Sequence, residues 1–347
     1  SGYSVVFMES PKFVGSTKRG QTCVSLKWKI GRSQAIPGKG ITFTLFLAHA
    51  LGFCKEIWGP VVEEFATLLQ DPLPLLSSPL PPPILCRHVP SSQTHPKPIS
   101  EIAAILSSSS YNFVSIDLPG HGQTQEYYPQ PVVPPEEFSW KTFGDGVADT
   151  VLECLGDTEE SDQVVMACGI SVGATSMIMA IPNLPKFDGL LLIEPILPSI
   201  EKQEQTPKIN KLSQGALKRR SVFSSHEDVI EAYQTKPVFQ SWDERALFLY
   251  AHHGFQENSE GKVELKCPKE LESMFFQTSF HNSSLVYKSL SSLKCPVTLV
   301  HGENSFIHSK THLGWDNTIK SMKNVENVCG YHMEGAGHLI CMSHPRE

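Results

Sequence analysis

The pentapeptide Gly169–Gly173, with the sequence GISVG, restricts the possible folds more than any other part of the chain. An apolar run over residues 164–168 precedes it, and a run of small and apolar residues over 174–180 follows it. This context predicts a buried strand, a tight turn and a helix, with Ser171 at the apex of the turn. The glycines leave room for the turn, and the helix would aim its first N–H groups at the serine oxygen. The pattern favours a nucleophilic serine over an ordinary glycine-rich turn.

The bulk composition excludes several classes of protein. A formal net charge of −7 argues against nucleic acid as the main partner. No uninterrupted apolar run has the length of a membrane span, and the N-terminal residues lack the pattern of a signal peptide. The nine cysteines form no C-x-x-C pair, which favours reduced thiols in an intracellular protein. His308 and His312 are four residues apart but have no evident third ligand, so we expect no metal and no cofactor.

Apolar strand patterns alternate with helical patterns along most of the sequence. The runs at 41–48 and 295–302 are almost continuously apolar, as expected of strands covered on both faces of a parallel sheet. The chain is therefore predicted to have an α/β fold, with a mostly parallel sheet and helices on both faces. The predicted strands occupy residues 3–8, 23–30, 41–48, 111–117, 164–168, 187–193, 295–302 and about 325–331.

Two segments interrupt this alternation. Residues 71–110 are rich in proline and serine, which predicts an exposed insertion that is mostly loop, with a helix near residues 100–106. Residues 197–293 are charged and helical in pattern, which predicts a helical cap inserted into the core. The core would then have a first part, residues 1–196, and a second part, residues 294–347.

A nucleophilic serine needs a base and an acid that orients the base. His338 is the best base among the 14 histidines, because it follows the last predicted strand in a glycine-rich turn. Two acids are in position: Glu194 ends the strand after the Ser171 helix, and Glu303 follows the strand at 295–302. Ser305 stands where an aspartate is expected after that second strand. We rank Glu194 first and Glu303 second.

Two backbone N–H groups are predicted to hold the oxyanion that forms during acyl transfer. One belongs to Val172, directly after the nucleophile, and the other to Phe53, with Leu51 as the alternative. The ring of Phe53 would then line the acyl pocket. The aromatic residues near 239–250 are expected to pack the cap, with one or two facing the substrate. We assign Leu51 and Trp242 to substrate binding.

These motifs resemble a known superfamily. The strand pattern, the serine turn, Asp117–Gly122 (DLPGHG) and Glu334–His338 (EGAGH) are similar to the α/β-hydrolase superfamily, in which the triad follows the order serine, acid, histidine. His49–Glu56 (HALGFCKE), Arg219–Phe223 (RRSVF) and Trp242-Asp243 resemble a fungal branch of it more narrowly. That branch includes the yeast peroxisomal lipase-like hydrolase, toxin-biosynthesis hydrolases and the peroxisomal acyl-CoA hydrolase of mycophenolic acid biosynthesis.

The resemblance implies the α/β-hydrolase fold and hydrolysis of an apolar acyl ester or acyl-CoA thioester, with a role in fungal secondary metabolism. It also implies an acid after the strand that follows the serine turn, which supports Glu194, although aspartate is usual there. A peroxisomal location is implied too. The chain stops at Arg346-Glu347 without a peroxisomal Ser-Lys-Leu signal, so a cytoplasmic location or a truncated chain stays open.

Two other functions stay open. One is a non-catalytic ligand-binding protein built on a hydrolase fold, and the other is an acyltransferase that passes the acyl group to a hydroxyl. The expected partner in each case is a small acyl compound. The sequence leaves the oligomeric state undecided, with a homodimer as one option. Basic residues at the start of the cap, including Lys218 and Arg219, fit a solvated face better than a site for coenzyme A phosphates.

Overall fold

The structure is a computed structural model of the chain. It describes residues 3–13, 23–32, 41–70, 85–87, 99–156, 163–184, 187–197, 211–278, 283–307 and 327–347, together with the single residues 318, 322 and 325. The predicted pair His308 and His312 lies outside these residues, as does most of the insertion predicted at 71–110.

A nine-stranded sheet forms the centre of the molecule. Its strands are β1 (Tyr3–Phe13), β2 (Val24–Arg32), β3 (Thr42–Ala48), β4 (Leu85–Arg87), β5 (Ser110–Ile116), β6 (Gln163–Ile170), β7 (Gly189–Ile193), β11 (Val297–Gly302) and β12 (Val328–Met333). Their order across the sheet is β1-β2-β5-β3-β6-β7-β11-β12-β4. The six neighbouring strands from β5 to β12 in this order run parallel, while β1, β2 and β4 pair antiparallel at the margins. The predicted mostly parallel sheet is therefore present.

Both faces of the sheet are covered. Successive side chains of a strand point to opposite sides of the sheet, so neighbouring residues of a strand pack into different clusters. Along β3, Phe46 packs into one hydrophobic cluster and Leu47 into the other. Buried apolar strand residues on both faces explain the near-continuous apolar runs in the sequence. The described helices of the core are α1 (Gly59–Leu68), α2 (Ile99–Ser108), α3 (Gly122–Tyr127), α4 (Lys141–Leu155), α5 (Val172–Ala180) and α11 (Ile340–Ser343).

The segment predicted as a helical cap contains a small sheet as well as helices. The elements are α6 (Lys211–Lys218), β8 (Val222–Phe223), α7 (His226–Gln234), α8 (Glu244–His253), β9 (Phe255–Glu257), β10 (Val263–Leu265), α9 (Lys269–Gln277) and α10 (Ser283–Ser291). The three strands form an antiparallel sheet with the order β8-β10-β9. Helix α7 begins where the sequence offers a cap, because the Ser225 side chain accepts from the N–H of Asp228. The boundaries of this segment as a separate domain stay a prediction.

The proline- and serine-rich insertion is not all loop. Residues Leu85–Arg87 form β4, which pairs antiparallel with β12 at the edge of the main sheet. The helix predicted near 100–106 extends over Ile99–Ser108. Among the described residues, no helix combines the length and the apolar character that crossing a membrane requires.

Candidate active site

The turn after β6 places Ser171 where β6 meets α5. Ser171 has φ 58° and ψ −122°, a backbone conformation that costs energy for a residue with a side chain. A Cβ on Gly169 would lie 2.5 Å from the nitrogen of Ala174, and one on Gly173 would lie 2.3 Å from the carbonyl oxygen of Ala48. The strand, the turn and the helix therefore touch at backbone distance. This contact explains why glycine stands on both sides of the serine.

A continuous hydrogen-bonded chain joins the three predicted triad residues. His338 Nε2 lies 3.0 Å from Ser171 Oγ, and His338 Nδ1 lies 2.8 Å from Glu194 Oε2. All three side chains are buried, and Glu194 is fully so. This arrangement can deprotonate the serine hydroxyl through His338, while the carboxylate fixes the tautomer and orientation of the imidazole.

Glu194 is held by donors on both of its carboxylate oxygens. The N–H of Gly302 donates to its Oε1 at 2.7 Å, and Ser305 Oγ donates to its Oε2 at 2.5 Å. Glu194 has φ 50°, and among the described residues only it and Ser171 are non-glycine residues with positive φ. Strained backbone thus occurs at two members of the hydrogen-bonded chain, as is common at functional sites.

Glu303, the second-ranked acid, lies elsewhere. Its Oε2 accepts the N–H of Gly335 at 2.9 Å, a contact that ties the loop after β11 to the loop after β12. Ser305, which occupies the expected place of an aspartate, instead donates its hydroxyl to Glu194. We did not predict this role for Ser305. The serine in place of the usual acid was the signal in the sequence that marked the position.

The loop that carries His338 rests against the end of β11. A Cβ on Gly302 would lie 2.4 Å from the carbonyl oxygen of Gly337 and 2.5 Å from that of Ala336, so a glycine is required at this contact. The ring of Phe306, which is half exposed, lies 5.1 Å from the imidazole of His338 in an edge-on arrangement. Phe306 therefore borders the imidazole of His338, a position that no motif of the sequence marks.

The predicted oxyanion donors lie on two different elements. Val172 is the first residue of α5, and N–H groups in the first turn of a helix have no acceptor within the helix. The N–H of Phe53 closes a tight turn onto the carbonyl oxygen of Ala50 at 3.3 Å, the long end of the hydrogen-bond range. Gly52, in the same turn, has φ +82°.

The two residues assigned to substrate binding are both buried. Leu51 lies in the hydrophobic cluster that also contains Val172. Trp242 is 5.3 Å from the ring of Phe53, measured between ring centroids, and Tyr250 is 5.0 Å from it. The ring of Phe53 therefore packs against aromatic side chains of the predicted cap. Its expected place along an acyl pocket stays a prediction.

A second buried polar cluster lies behind the loop of Phe53. Lys55 Nζ donates to Asp117 Oδ2 at 2.9 Å, to Glu56 Oε1 at 2.7 Å and to Gln123 Oε1 at 2.7 Å. The N–H of Lys55 also donates to Asp117 Oδ1 at 2.7 Å. Burial alone raises the pKa of Asp117, but Lys55 and His49 outweigh it, so this pKa lies below its ordinary value. The cluster joins the loop after β3 to the loop after β5.

Two histidines beside this cluster are held neutral. Burial, with His49 as a neighbour, lowers the pKa of His121 to about 3. Burial also lowers the pKa of His49, whose Nε2 accepts the N–H of Leu118 at 3.1 Å. His121 stacks on the ring of Phe275 at 5.4 Å. Among the described residues, no group of three or more histidine, cysteine, aspartate or glutamate side chains is placed to hold a metal ion.

Solved structures resemble this chain over almost its whole length. The peroxisomal alpha-beta-hydrolase Lpx1 from Saccharomyces cerevisiae is 14% identical, with a TM-score of 0.68 over 99% of this chain and 84% of its own. E-2-(acetamidomethylene)succinate hydrolase is 14% identical, with a TM-score of 0.61 over 98% of this chain and 95% of its own. The thioesterase domain from the curacin biosynthetic pathway is 16% identical, with a TM-score of 0.57 over 99% and 97%. The sequence matches no protein-family model and no curated protein.

The chain has the α/β-hydrolase fold. This confirms the predicted fold class, and the similarity to Lpx1 confirms the predicted resemblance to the yeast peroxisomal hydrolase. At 14% identity, the comparison describes the fold and leaves the reaction to be argued from the site.

Proposed function

We propose that this protein is a serine hydrolase that cleaves an apolar acyl ester or thioester. The observation that carries the proposal is the hydrogen-bonded chain from Ser171 through His338 to Glu194, with distances of 3.0 and 2.8 Å. A nucleophile, a base and a buried acid in this order are the groups that acyl transfer by serine requires.

The reaction has two halves. Ser171 Oγ attacks the carbonyl carbon as His338 Nε2 takes its proton, and the N–H groups of Val172 and Phe53 receive the negative charge on the carbonyl oxygen. His338 then gives the proton to the departing alkoxide or thiolate, which leaves an acyl group on Ser171. Water, deprotonated by His338, attacks the acyl-enzyme. The bond between the acyl carbon and Ser171 Oγ then breaks, His338 returns the proton to Oγ, and the acid leaves. Glu194 stabilises the imidazolium that forms in each half.

Glutamate fills the acid position because its surroundings suit the longer side chain. The positive φ of Glu194 and the donors Gly302 and Ser305 hold the carboxylate in line with Nδ1 of His338. The same donors favour the ionised form of the carboxylate. In this proposal Glu194, rather than Glu303, is the acid.

The finer parts of the proposal concern substrate and place. A coenzyme A thioester as substrate, a role in fungal secondary metabolism and a peroxisomal location rest on the sequence resemblance to the fungal branch. Lpx1 is described as peroxisomal, which supports the location, and the curacin thioesterase domain is an example of this fold in a thioesterase. The cap over residues 197–293 would supply the apolar wall of the pocket. Trp242 of the cap and Leu51 of the core would contact the substrate there.

The first test asks whether Ser171 is a nucleophile. A fluorophosphonate probe phosphonylates an activated serine, and we expect it to label the wild-type protein. The control is Ser171→Ala, which removes only the hydroxyl and should abolish labelling. A folded wild-type sample that takes up no label would contradict the proposal and favour a non-catalytic binding protein.

The second test identifies the leaving group and the acceptor. The protein is incubated with matched pairs of oxygen esters and coenzyme A thioesters that share the same acyl chain, and the products are followed by mass spectrometry. Free acid and free coenzyme A would support the thioesterase. Free acid from oxygen esters alone would make the protein an esterase. Acyl transfer to an added alcohol in preference to water would support the acyltransferase.

A further inference from the structure

A buried ionic cluster in the segment 211–278 contacts the loop that carries Phe53. Arg219 donates from Nη1 to Glu272 Oε2 at 2.5 Å and from Nη2 to the hydroxyl oxygen of Tyr250 at 2.6 Å. Arg219 is the first basic residue of the RRSVF motif, for which the proposed reaction has no role. Arg219 is largely buried, with its side chain 17% exposed, and such an arginine is costly unless its charge is compensated. Glu272 supplies the compensating carboxylate.

The cluster reaches the core at one peptide group. The hydroxyl of Tyr250 donates to the carbonyl oxygen of Gly52 at 3.0 Å, across 198 residues of sequence. A Cβ on Gly52 would lie 2.5 Å from Glu272 Oε1 and 3.1 Å from Arg219 Nη1. Arg219, Tyr250 and the Gly52 carbonyl therefore form a directed series in which each donor is polarised by the one before it.

The hydrogen bond from Tyr250 to Gly52 fixes the orientation of the whole peptide group between Gly52 and Phe53. The described chain contains no cis peptide bonds, so the carbonyl of Gly52 and the N–H of Phe53, which share one planar group, point in opposite directions. Holding the carbonyl towards Tyr250 therefore turns the N–H of Phe53 away from the cluster, to the side on which it meets the carbonyl oxygen of Ala50 at 3.3 Å. The turn Ala50–Phe53 carries both predicted oxyanion donors, the N–H of Phe53 and the alternative N–H of Leu51, so its geometry decides how well the transition state is stabilised.

We propose that Arg219, Glu272 and Tyr250 are positioning residues that hold the turn Ala50–Phe53, which carries the predicted oxyanion donors, through the Gly52 carbonyl. The proposal rests on the hydrolase function proposed above and deepens it by assigning a role to a motif of the predicted cap. The core then supplies the nucleophile, base and acid, while the inserted segment fixes one half of the oxyanion site.

The chemical state of the cluster suits this task. Burial raises the pKa of Tyr250 well above its ordinary value, so the phenol stays protonated and able to donate. Burial acts to lower the pKa of Arg219, but Tyr250 and Glu272 outweigh it, so the guanidinium stays charged. The donors therefore persist across the pH range in which an esterase is assayed.

The test compares two tyrosines that bond the same arginine. Arg219 Nη2 donates to Tyr233 at 2.9 Å as well as to Tyr250, and both rings are buried, but only Tyr250 reaches Gly52. Tyr250→Phe and Tyr233→Phe each remove one buried hydroxyl from the cluster. Tyr250→Phe should lower kcat about tenfold with KM little changed, less than the roughly 10²–10³-fold loss typical when an oxyanion donor is removed. Tyr233→Phe should leave kcat within about twofold of wild type.

A second readout does not depend on activity. Hydrogen exchange is measured on the segment 50–55, and Tyr250→Phe should speed its exchange while Tyr233→Phe should not. Equal losses of kcat in the two variants, or a Tyr250→Phe variant with wild-type kcat, would overturn the proposal. If the wild-type protein hydrolyses no ester and takes up no fluorophosphonate, the proposed function fails. The exchange comparison then still decides whether Tyr250 holds the Gly52 peptide, and equal exchange would overturn that claim too.

Discussion

Two carboxylates of the core are completely buried, and they have different partners. Asp117 faces a permanent cation, because Lys55 Nζ lies 2.9 Å from its Oδ2. Glu194 faces the imidazole of His338, a second imidazole, that of His301, at 3.6 Å from Oε1, and two neutral donors, the N–H of Gly302 and the hydroxyl of Ser305. A lysine fixes a carboxylate in one charge state and one place. An imidazole can gain and lose a proton, so the charge balance at Glu194 can change during a reaction.

The two clusters lie at the same edge of the sheet, but we expect the Asp117 cluster to contribute to stability and the Glu194 cluster to the proposed reaction. The Asp117 cluster ties two loops together through ion pairs of Lys55 with Asp117 and Glu56, and its removal should cost stability. The Glu194 cluster holds a carboxylate against the group that would become positively charged in the transition state, and its removal should cost rate. The predictions that follow test this division, beginning with the largest expected effect.

Replacing Glu194, the acid of the proposed triad, should have the largest effect. Glu194→Gln keeps the size of the side chain but removes the negative charge that stabilises a protonated His338. We expect kcat to fall about 10³–10⁴-fold, as for an amide in place of a triad acid. Esterase kinetics measure the loss, and urea unfolding serves as the control for folding. A kcat within about tenfold of wild type would mean that another acid serves His338.

Removing the carboxylate of Asp117 should lower stability rather than kcat. Asp117→Asn leaves Lys55 buried beside Glu56 and Gln123, with one negative charge fewer. We expect the free energy of unfolding to drop by about 2 kcal/mol, because the hydrogen bonds from Lys55 and from the N–H of Gln123 to a charged carboxylate are weakened while Glu56 still pairs with Lys55. Urea denaturation measures it, and Glu260→Gln at the exposed pair with Lys262 provides the matched surface control. Equal stability of the two variants would remove the distinction drawn between Asp117 and Glu194.

Ser305 allows a finer test of the Glu194 surroundings. Ser305→Ala removes the hydroxyl that donates to Oε2, the same oxygen that receives His338. A hydrogen bond to a charged group contributes about 1.5 kcal/mol, which corresponds to about a tenfold loss of kcat. Ser305→Thr keeps the hydroxyl and should retain most of the activity. A threonine variant as slow as the alanine variant would point to packing rather than to the hydrogen bond.

His121, which is buried near the Asp117 cluster, should make the stability depend on pH. His121 binds a proton near pH 6.5 when unfolded but only at about pH 3 when folded, so the unfolded state binds more protons between these values. Acidification therefore lowers the free energy of unfolding, by ~1 kcal/mol between about pH 6.5 and 5.5 from this residue. Urea titrations at the two pH values measure the change, and it should shrink in His121→Asn. An unchanged difference in that variant would assign the effect to other groups.

The serine turn and the parallel core could be predicted from the sequence because their causes are local. Gly169 and Gly173 are needed where backbone meets backbone, and the apolar runs reflect strands buried on both faces. Both signals can be seen within a few residues. The resemblance to a known superfamily added the order of the triad but did not decide the acid.

The choice of acid depended on contacts between distant parts of the chain. Glu194 and Glu303 both follow strands that end at the same edge of the sheet. Their positions in the sequence therefore gave an order of preference but did not show which of them contacts His338. In the structure their contacts differ: Glu194 Oε2 lies 2.8 Å from His338 Nδ1 and accepts from the loop after β11, while Glu303 Oε2 accepts the N–H of Gly335. The sequence shows neither the positive φ of Glu194 nor its contact with Ser305, so it predicts no role for the Ser305 hydroxyl.

The short strands were missed for a different reason. β4, β9 and β10 have three residues each and β8 has two, too few for an alternating pattern to appear. The sequence pattern therefore predicted a helical cap and an insertion that is mostly loop. In both places pairing with another strand creates the structure, and local preference contributes little.

The meeting of Glu194 and Ser305 has an evolutionary consequence. The ends of two neighbouring strands, β7 and β11, deliver side chains to one point beside His338. A carboxylate can therefore arise on either strand while the histidine stays in place. During divergence, a lineage that gained a second acid at this point could lose the first without passing through an inactive ancestor. Ser305, a small hydrogen-bonding residue in contact with Glu194, is the kind of residue that such an exchange would leave at the vacated position.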